Sequence, residues 1–318
     1  MTGAGDGRLG ADAAALDDLA TELRAAAARL SSAPSWRSTA PGASALRSWH
    51  GPDADSAVAL LDDAAAQRRR AAAALDGCAS ALTRAAVGQR RASRPGPAVA
   101  VRVDLAGAGG RLVQRVGVAG ASVVVVLVPG VGTDRGDRAR LLGDAERVWA
   151  AVADRVDDPS SVAVVSWLGY DPPDVVAQGV EVAPAGHGAA LLADEVRSLR
   201  RGGAARITLV GHSYGGIVAG RAAPGGGADV VVQLGSPGVG VPGGTGAIRA
   251  AGAVLVAVRA PGDPIGMVAG RVPGLYGEDP VGTVPTLPTS RTGHGSYLSD
   301  PVLLAALAEL AVGSPAGG

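Results

Sequence analysis

The chain has 318 residues, 47% of them apolar, enough for one large core or two domains. Its 29 basic and 29 acidic side chains cancel, so no bulk charge draws it to nucleic acid or to an anionic membrane surface. The single cysteine, Cys78, excludes an internal disulfide, a structural zinc cluster and a redox pair.

The opening residues, Met1 to Asp6, lack a basic start and an apolar run, so no ordinary signal peptide is read there. From Gly10 to Ser31 the leucines at 16, 19, 23 and 30 recur at helical spacing, with acidic and arginine side chains on the remaining surface, which predicts an amphipathic helix. A break follows through Pro34, Trp36 and Pro41. Trp49-His50-Gly51-Pro52 then supplies a turn glycine and a proline suited to the first position of a helix. A second helix is predicted from about Asp53 to Arg91, with Val58, Leu61, Ala65, Ala72, Leu75, Ala79 and Leu82 on one stripe and Arg68 to Arg70 on a solvated face. Cys78, set among alanines on this helix, is expected to be a buried core thiol.

Two long helices joined around Trp49-x-Gly51 resemble the WXG-type helical hairpin of type VII (ESX) secretion. The resemblance implies a structural tryptophan at the turn and a helical-hairpin protein partner for residues 1–94. It also implies export by a route without a signal peptide, the alternative being a cytoplasmic protein. The family's tyrosine and acidic pair after the second helix is absent, because no tyrosine precedes Tyr170.

Arg94-Pro95-Gly96-Pro97 stops the helix, which divides the chain into an all-α region, 1–94, and a second region, 95–318. Beyond it, valine runs alternate with Ala/Arg-rich helical stretches, the pattern of an α/β sheet. Strands are predicted over 97–105, 111–119, 123–128, 162–167, 206–210, 230–234 and 254–258. Helices are predicted over 137–155, 188–201 and 301–312. The longest apolar run, Val116 to Val128, is too short to span a bilayer, and its unalternating valines suit a strand covered on both faces.

The strand Arg206 to Val210 runs into Gly211-His212-Ser213-Tyr214-Gly215, followed at once by a helix-compatible stretch. G-x-S-x-G on a strand-to-helix turn is the nucleophile elbow: small neighbours relieve the clashes of a strained serine backbone and leave its hydroxyl exposed. An activated serine needs a base, a carboxylate to orient that base, and donors for the oxyanion, with the acid and then the base following the serine in the chain. After Ser213 the only histidine is His294, in the glycine-flanked loop Thr292 to Tyr297. The candidates for the acid are Asp229, Asp263, Glu278, Asp279 and Asp300. Asp263 follows a strand inside Ala260-Pro261-Gly262-Asp263-Pro264, at the carboxyl end of the sheet where ligand chemistry gathers; Asp279 stands in reserve. The first oxyanion donor is expected to be the N–H of Tyr214 and the second that of Val131, in Pro129-Gly130-Val131-Gly132-Thr133.

Residues 97–318 resemble an α/β-hydrolase. Trp167-Leu168-Gly169-Tyr170-Asp171-Pro172-Pro173, the GHSYG elbow and His294-Gly295-Ser296-Tyr297-Leu298 together are similar to an uncharacterised actinobacterial family of that fold. The resemblance implies Ser213, Asp263 and His294 as a triad, with no known substrate, and departs from many hydrolases in having Pro129 where histidine precedes the oxyanion glycine. Tyr170, Asp171 and His212 are candidates to line the site, Tyr170 and Asp171 equally for an Asp-Pro turn. The glycine-rich stretch Gly235 to Gly252, where many relatives carry a helical cap, points to an open site. The expected activity is acyl transfer from a small or lipid-like ester to water without metal or cofactor. The competing class is a binding or secretion-associated module whose hydrolase fold has lost catalysis.

Overall fold

A computed structural model describes residues 12–34, 48–93, 97–104, 111–173, 183–269 and 276–313. Trp36, Pro41, the boundary residues 94–96 and the stretch Gly107 to Gly110 lie outside these. The chain forms two compact units, Met1–Gly96 and Pro97–Gly318.

In the first unit, α1 (Ala13–Ser32) starts on Asp12, whose carboxylate accepts the N–H of Ala14 at 2.9 Å, and α2 (Pro52–Ser93) starts on a proline after Gly51. The helices are antiparallel: Arg24 donates to Thr83 Oγ1 at 2.8 Å, whereas Arg68 reaches the Pro34 carbonyl at 3.4 Å. Their seam is alanine. Ala20 and Ala27 on α1, and Ala72, Ala79 and Ala86 on α2, are buried at seven-residue spacing. Two corrections follow from this seam. Leu19, expected on the apolar stripe, is 44% exposed because its neighbour Ala20 occupies the contact. Cys78 is exposed, since it lies one residue, about 100° of helix rotation, from the buried Ala79. Arg69 and Arg70 are exposed, Arg68 is half-buried beside the Pro34 carbonyl just past the end of α1, and Trp49 is 47% exposed.

The second unit is a seven-stranded mixed sheet with flanking helices. Its strands are β1 (Val99–Asp104), β2 (Arg111–Gly117), β3 (Val123–Val128), β4 (Val162–Leu168), β5 (Arg206–His212), β6 (Val230–Leu234) and β7 (Val254–Val258). Their order is β1-β2-β4-β3-β5-β6-β7, with β1/β2 and β2/β4 antiparallel and the rest parallel. β3, all β-branched but for one leucine, is central because such side chains pack on both faces of a pleated strand.

On one face, Val124, Val126, Ile207, Leu209 and Val231 meet α4 (Ala183–Arg201) and α5 (Tyr214–Ala222) through Leu192, Val196 and Ile217. On the other, Val125, Leu127, Val210 and Val232 meet α3 (Arg138–Ala153) and α7 (Pro301–Val312) through Val148, Val152, Leu303 and Leu307. A seven-residue helix not expected from sequence, α6 (Gly244–Ala250), sits in the glycine-rich stretch before β7. No helix among the described residues is long and apolar enough to cross a membrane.

Candidate active site

Ser213 stands between β5 and α5 with φ 55° and ψ −126°, and it is the one non-glycine residue with positive φ among those described. A backbone so placed costs on the order of 1–3 kcal/mol and persists only where surrounding contacts hold it. Here they do: its N–H donates to Leu234 O at 2.8 Å and its carbonyl accepts from Gly216 at 2.9 Å. The turn also needs glycine beside it. A Cβ at Gly215 would lie 2.2 Å from the Val128 carbonyl, so this glycine lets α5 seat against the end of β3.

The loop after β3 lies directly over the elbow. A Cβ on Gly130 would be 2.8 Å from Ser213 Cβ and 3.2 Å from Tyr214 N, which puts the loop backbone and the amide after the serine side by side. Gly130, Val131, Ser213 and Tyr214 all line one cavity of about 1030 Å³. Tyr170 and Asp171, for which two readings stood open, are not part of its lining. Tyr170 is instead buried behind the loop, where its hydroxyl donates to Pro129 O at 2.6 Å and its ring stacks on Trp167. Burial pushes its phenol well above the ordinary value, so it stays a donor. Asp171 is exposed.

His294 and Asp263 come together from loops after the sheet. His294 Nδ1 lies 2.9 and 3.0 Å from the two Asp263 oxygens, with the carboxylate fully buried and the ring 30% exposed towards the cavity. The two loops are tied by Gly293 N–H donating to Pro261 O at 3.0 Å. Gly235, with φ 55°, passes beneath them: a Cβ there would be 2.6 Å from Asp263 Oδ2 and 3.0 Å from His294 Nδ1. Burial alone would raise the Asp263 pKa. Hydrogen bonds from Tyr297, His294 and the Ile265 N–H outweigh it and hold the carboxyl below its ordinary value.

The other carboxylates are engaged elsewhere. Asp279 forms a two-pronged pair with Arg259 at 2.8 and 3.1 Å, Asp229 pairs with Arg200, and Glu278 accepts the Thr245 N–H. Asp300 is completely buried and caps α7. It also gathers Thr289, Ser290 and Arg291 from the segment leading to His294.

Two side chains act on this constellation without having been assigned such roles from sequence. The Tyr297 hydroxyl donates to Asp263 Oδ2 and accepts the Ala260 N–H at 3.0 Å, bracing the acid alongside His294. His212, one residue before the serine, lines the cavity and places Nε2 2.7 Å from the His294 carbonyl. A carbonyl only accepts, so Nε2 carries the proton. The two rings are 4.8 Å apart. Burial, and then the neighbouring His294, lower the His212 pKa to about 4, which keeps it neutral and excludes it as a competing base near pH 7.

The cavity has two characters. Pro237, Ile265, Met267 and Leu298 form an apolar side, and Asp137, Arg140, Asp144 and Arg147 of α3 and its approach form a charged side. The charges are mutually satisfied: Arg140 lies 3.1 Å from Asp137 and 3.6 Å from Asp144, and Arg147 bonds Asp144 and, at 2.8 Å, the Leu298 carbonyl. Only Pro237 of the stretch from Gly235 to Gly252 reaches the lining.

A family profile described as alpha/beta hydrolase matches residues 107–272, just over half of the chain. No curated protein sequence matches it. Among solved structures, a dienelactone hydrolase from Anabaena variabilis is similar over 68% of this chain and 96% of its own, at 19% identity and a TM-score of 0.44. A hyperthermophilic esterase from the archaeon Pyrobaculum calidifontis is similar over 70% and 87%, at 14% identity and 0.43. A thermostable esterase from Pseudomonas putida is similar over 72% and 87%, at 15% identity and 0.40.

Proposed function

This chain belongs to the alpha/beta hydrolase family, and on that premise we propose that it is a serine hydrolase of ester-type bonds working through an acyl-enzyme. Ser213 Oγ attacks the ester carbonyl while His294 Nε2 takes its proton. The N–H groups of Tyr214 and Val131 receive the developing oxyanion, and the leaving alkoxide departs with the proton held by His294. Water then repeats the sequence on the acyl-enzyme and frees the acid. Asp263 holds Nδ1–H and stabilises the imidazolium. No metal or cofactor enters any step.

The observation that carries this reading is the paired contact of His294 Nδ1 with both Asp263 oxygens beside a cavity that also exposes the strained elbow serine. A fluorophosphonate probe should label the wild type at Ser213 and leave Ser213→Ala unlabelled; equal labelling of both removes the hydrolase reading. Asp263→Asn should cost turnover on the order of ten-thousand-fold, as loss of the orienting aspartate does in a serine protease, while Asp279→Asn, whose carboxylate serves Arg259, should be nearly silent. The reverse outcome would reassign the acid.

The first ninety-four residues are a separate helical hairpin in this proposal, a WXG-like unit that pairs with another hairpin protein of a type VII route. The antiparallel helices and the position of Trp49 just before α2 support it. Deleting residues 1–94 should leave ester turnover intact and abolish export from a cell carrying that machinery. Unchanged export would end the secretion reading.

A further inference from the structure

The cavity does not stop at the serine. It continues over the face of the sheet beneath α3, along one level of the strand register. Val210 of β5 is the register partner of Leu127 on β3, Leu127 of Ser166 on β4, and Ser166 of Gln114 on β2. Register partners project to the same face, so these four side chains form a row. Val210, Leu127 and Ser166 line the cavity, with Leu141 of α3 above them. At about 4.8 Å between strands, the row extends about 10 Å from Val210 to Ser166.

The far end of this row is polar where the fold has no need of polarity. Ser166 is 1% exposed and Gln114 is not exposed at all, and both amide atoms of Gln114 lack a hydrogen-bond partner among the described residues. An amide buried without partners costs about 1–3 kcal/mol for each group left unmet, and valine or leucine on this strand would avoid it. A polar group brought against Ser166 from the cavity would sit beside that amide.

We propose, building on the Ser213 reading, that this lobe is an acyl-binding channel whose floor, Ser166 backed by Gln114, selects chains ending in a neutral polar group such as a hydroxyl. A carboxylate end is disfavoured. Arg140 and Arg147 already answer Asp137 and Asp144, and the floor offers a hydroxyl and an amide but no spare cation to offset a buried charge.

The test compares p-nitrophenyl octanoate, its 8-hydroxy derivative and the p-nitrophenyl monoester of suberic acid, which ends in a carboxylate. Wild type should favour the hydroxylated chain over octanoate by about tenfold in kcat/KM, the worth of one well-made neutral hydrogen bond. Ser166→Ala and Gln114→Leu should each bring the ratio towards one. The ratio is unaffected by a loss of folded protein, which lowers both rates alike. Parity of the two esters in wild type would mean that water alone serves Gln114 and would overturn the proposal, as would a ratio unchanged in both variants. Preference for the suberate ester would move recognition to the arginines and overturn it too.

If wild type turns over none of these esters, the hydrolase reading fails by itself. Thermal unfolding of Ser213→Ala with 1,8-octanediol or 1-octanol then decides the channel. A larger upward shift with the diol supports it, and equal shifts overturn it.

Discussion

Replacing Tyr297 with phenylalanine removes the one oxygen that donates to Asp263 Oδ2 from this ring and leaves the ring packing in place. Tyr297 is 2% exposed, and its hydroxyl joins the Asp263 carboxylate to the Ala260 N–H. The substitution therefore deletes a hydrogen bond to a charged group, worth about 1.5–3 kcal/mol, and orphans a buried amide, worth about 1–3 kcal/mol. Relaxation recovers part of both, so the net loss at pH 7 is expected near 3 kcal/mol. For a domain of roughly two hundred residues each kcal/mol moves Tm by about 2–4 °C, so Tm should fall by about 6–12 °C.

The loss should depend on pH in a definite sense. The folded Asp263 carboxyl is held below its unfolded value, so its stabilisation is present above about 3.9 and disappears as pH falls through the lower folded value. Tyr297→Phe weakens that hold, and its penalty should shrink in acid. Turnover should drop by roughly tenfold to a hundredfold, because a less firmly held carboxylate orients His294 less well, while the serine remains open to fluorophosphonate. Differential scanning calorimetry at pH 7 and pH 3, with ester turnover at pH 7, checks this. A wild-type Tm and rate, or a penalty equal at both pH values, would refute the bracing role.

Asp300→Ala should cost about 3–5 kcal/mol by calorimetry, since it uncaps α7 and releases the segment before His294 together. The Asp300 carboxyl is pulled far below its ordinary value by those hydrogen bonds, against the pull of burial, so its contribution should begin to fade as pH falls below about 3.9 and be lost completely only in much stronger acid. His212 titrates in a different window. Its folded value of about 4 lies below the unfolded 6.5, so the unfolded chain binds the extra proton between them, and acidification through that range should remove up to about 3 kcal/mol of stability. His212→Gln, which keeps a donor for the His294 carbonyl, should flatten that slope; an unchanged slope would locate the acid sensitivity elsewhere. A fragment of residues 97–318 should fold and retain ester turnover, because the sheet and every cavity-lining residue belong to that unit. A soluble, folded but inactive fragment would mean that the helices complete the site.

Much of this protein was legible without coordinates because its strongest signals are local. Runs such as Val123 to Val128 can be little but central strands, and Asp300-Pro301 opens a helix by its own capping chemistry. Gly211 and Gly215, flanking Ser213 after a short apolar strand, announce a tight turn because no larger residue fits at either position. Chain order and its place after a strand at the carboxyl end of the sheet ranked Asp263 first among five candidate carboxylates, while the engagement of Asp279 by Arg259 became visible only in space. On α1 the alanine seam was misread because leucine periodicity outweighs alanine in a hydrophobic pattern, whereas the expected stripe of α2 already held the buried Ala72 and Ala79. Tyr170, Tyr297, His212 and Gln114 owe their places to partners 41, 34, 82 and 52 residues away, respectively. Local sequence carries backbone preference and amphipathic period. Which hydroxyl meets which carboxylate depends on how loops from separate strands converge at one end of the sheet, and that only the tertiary structure decides.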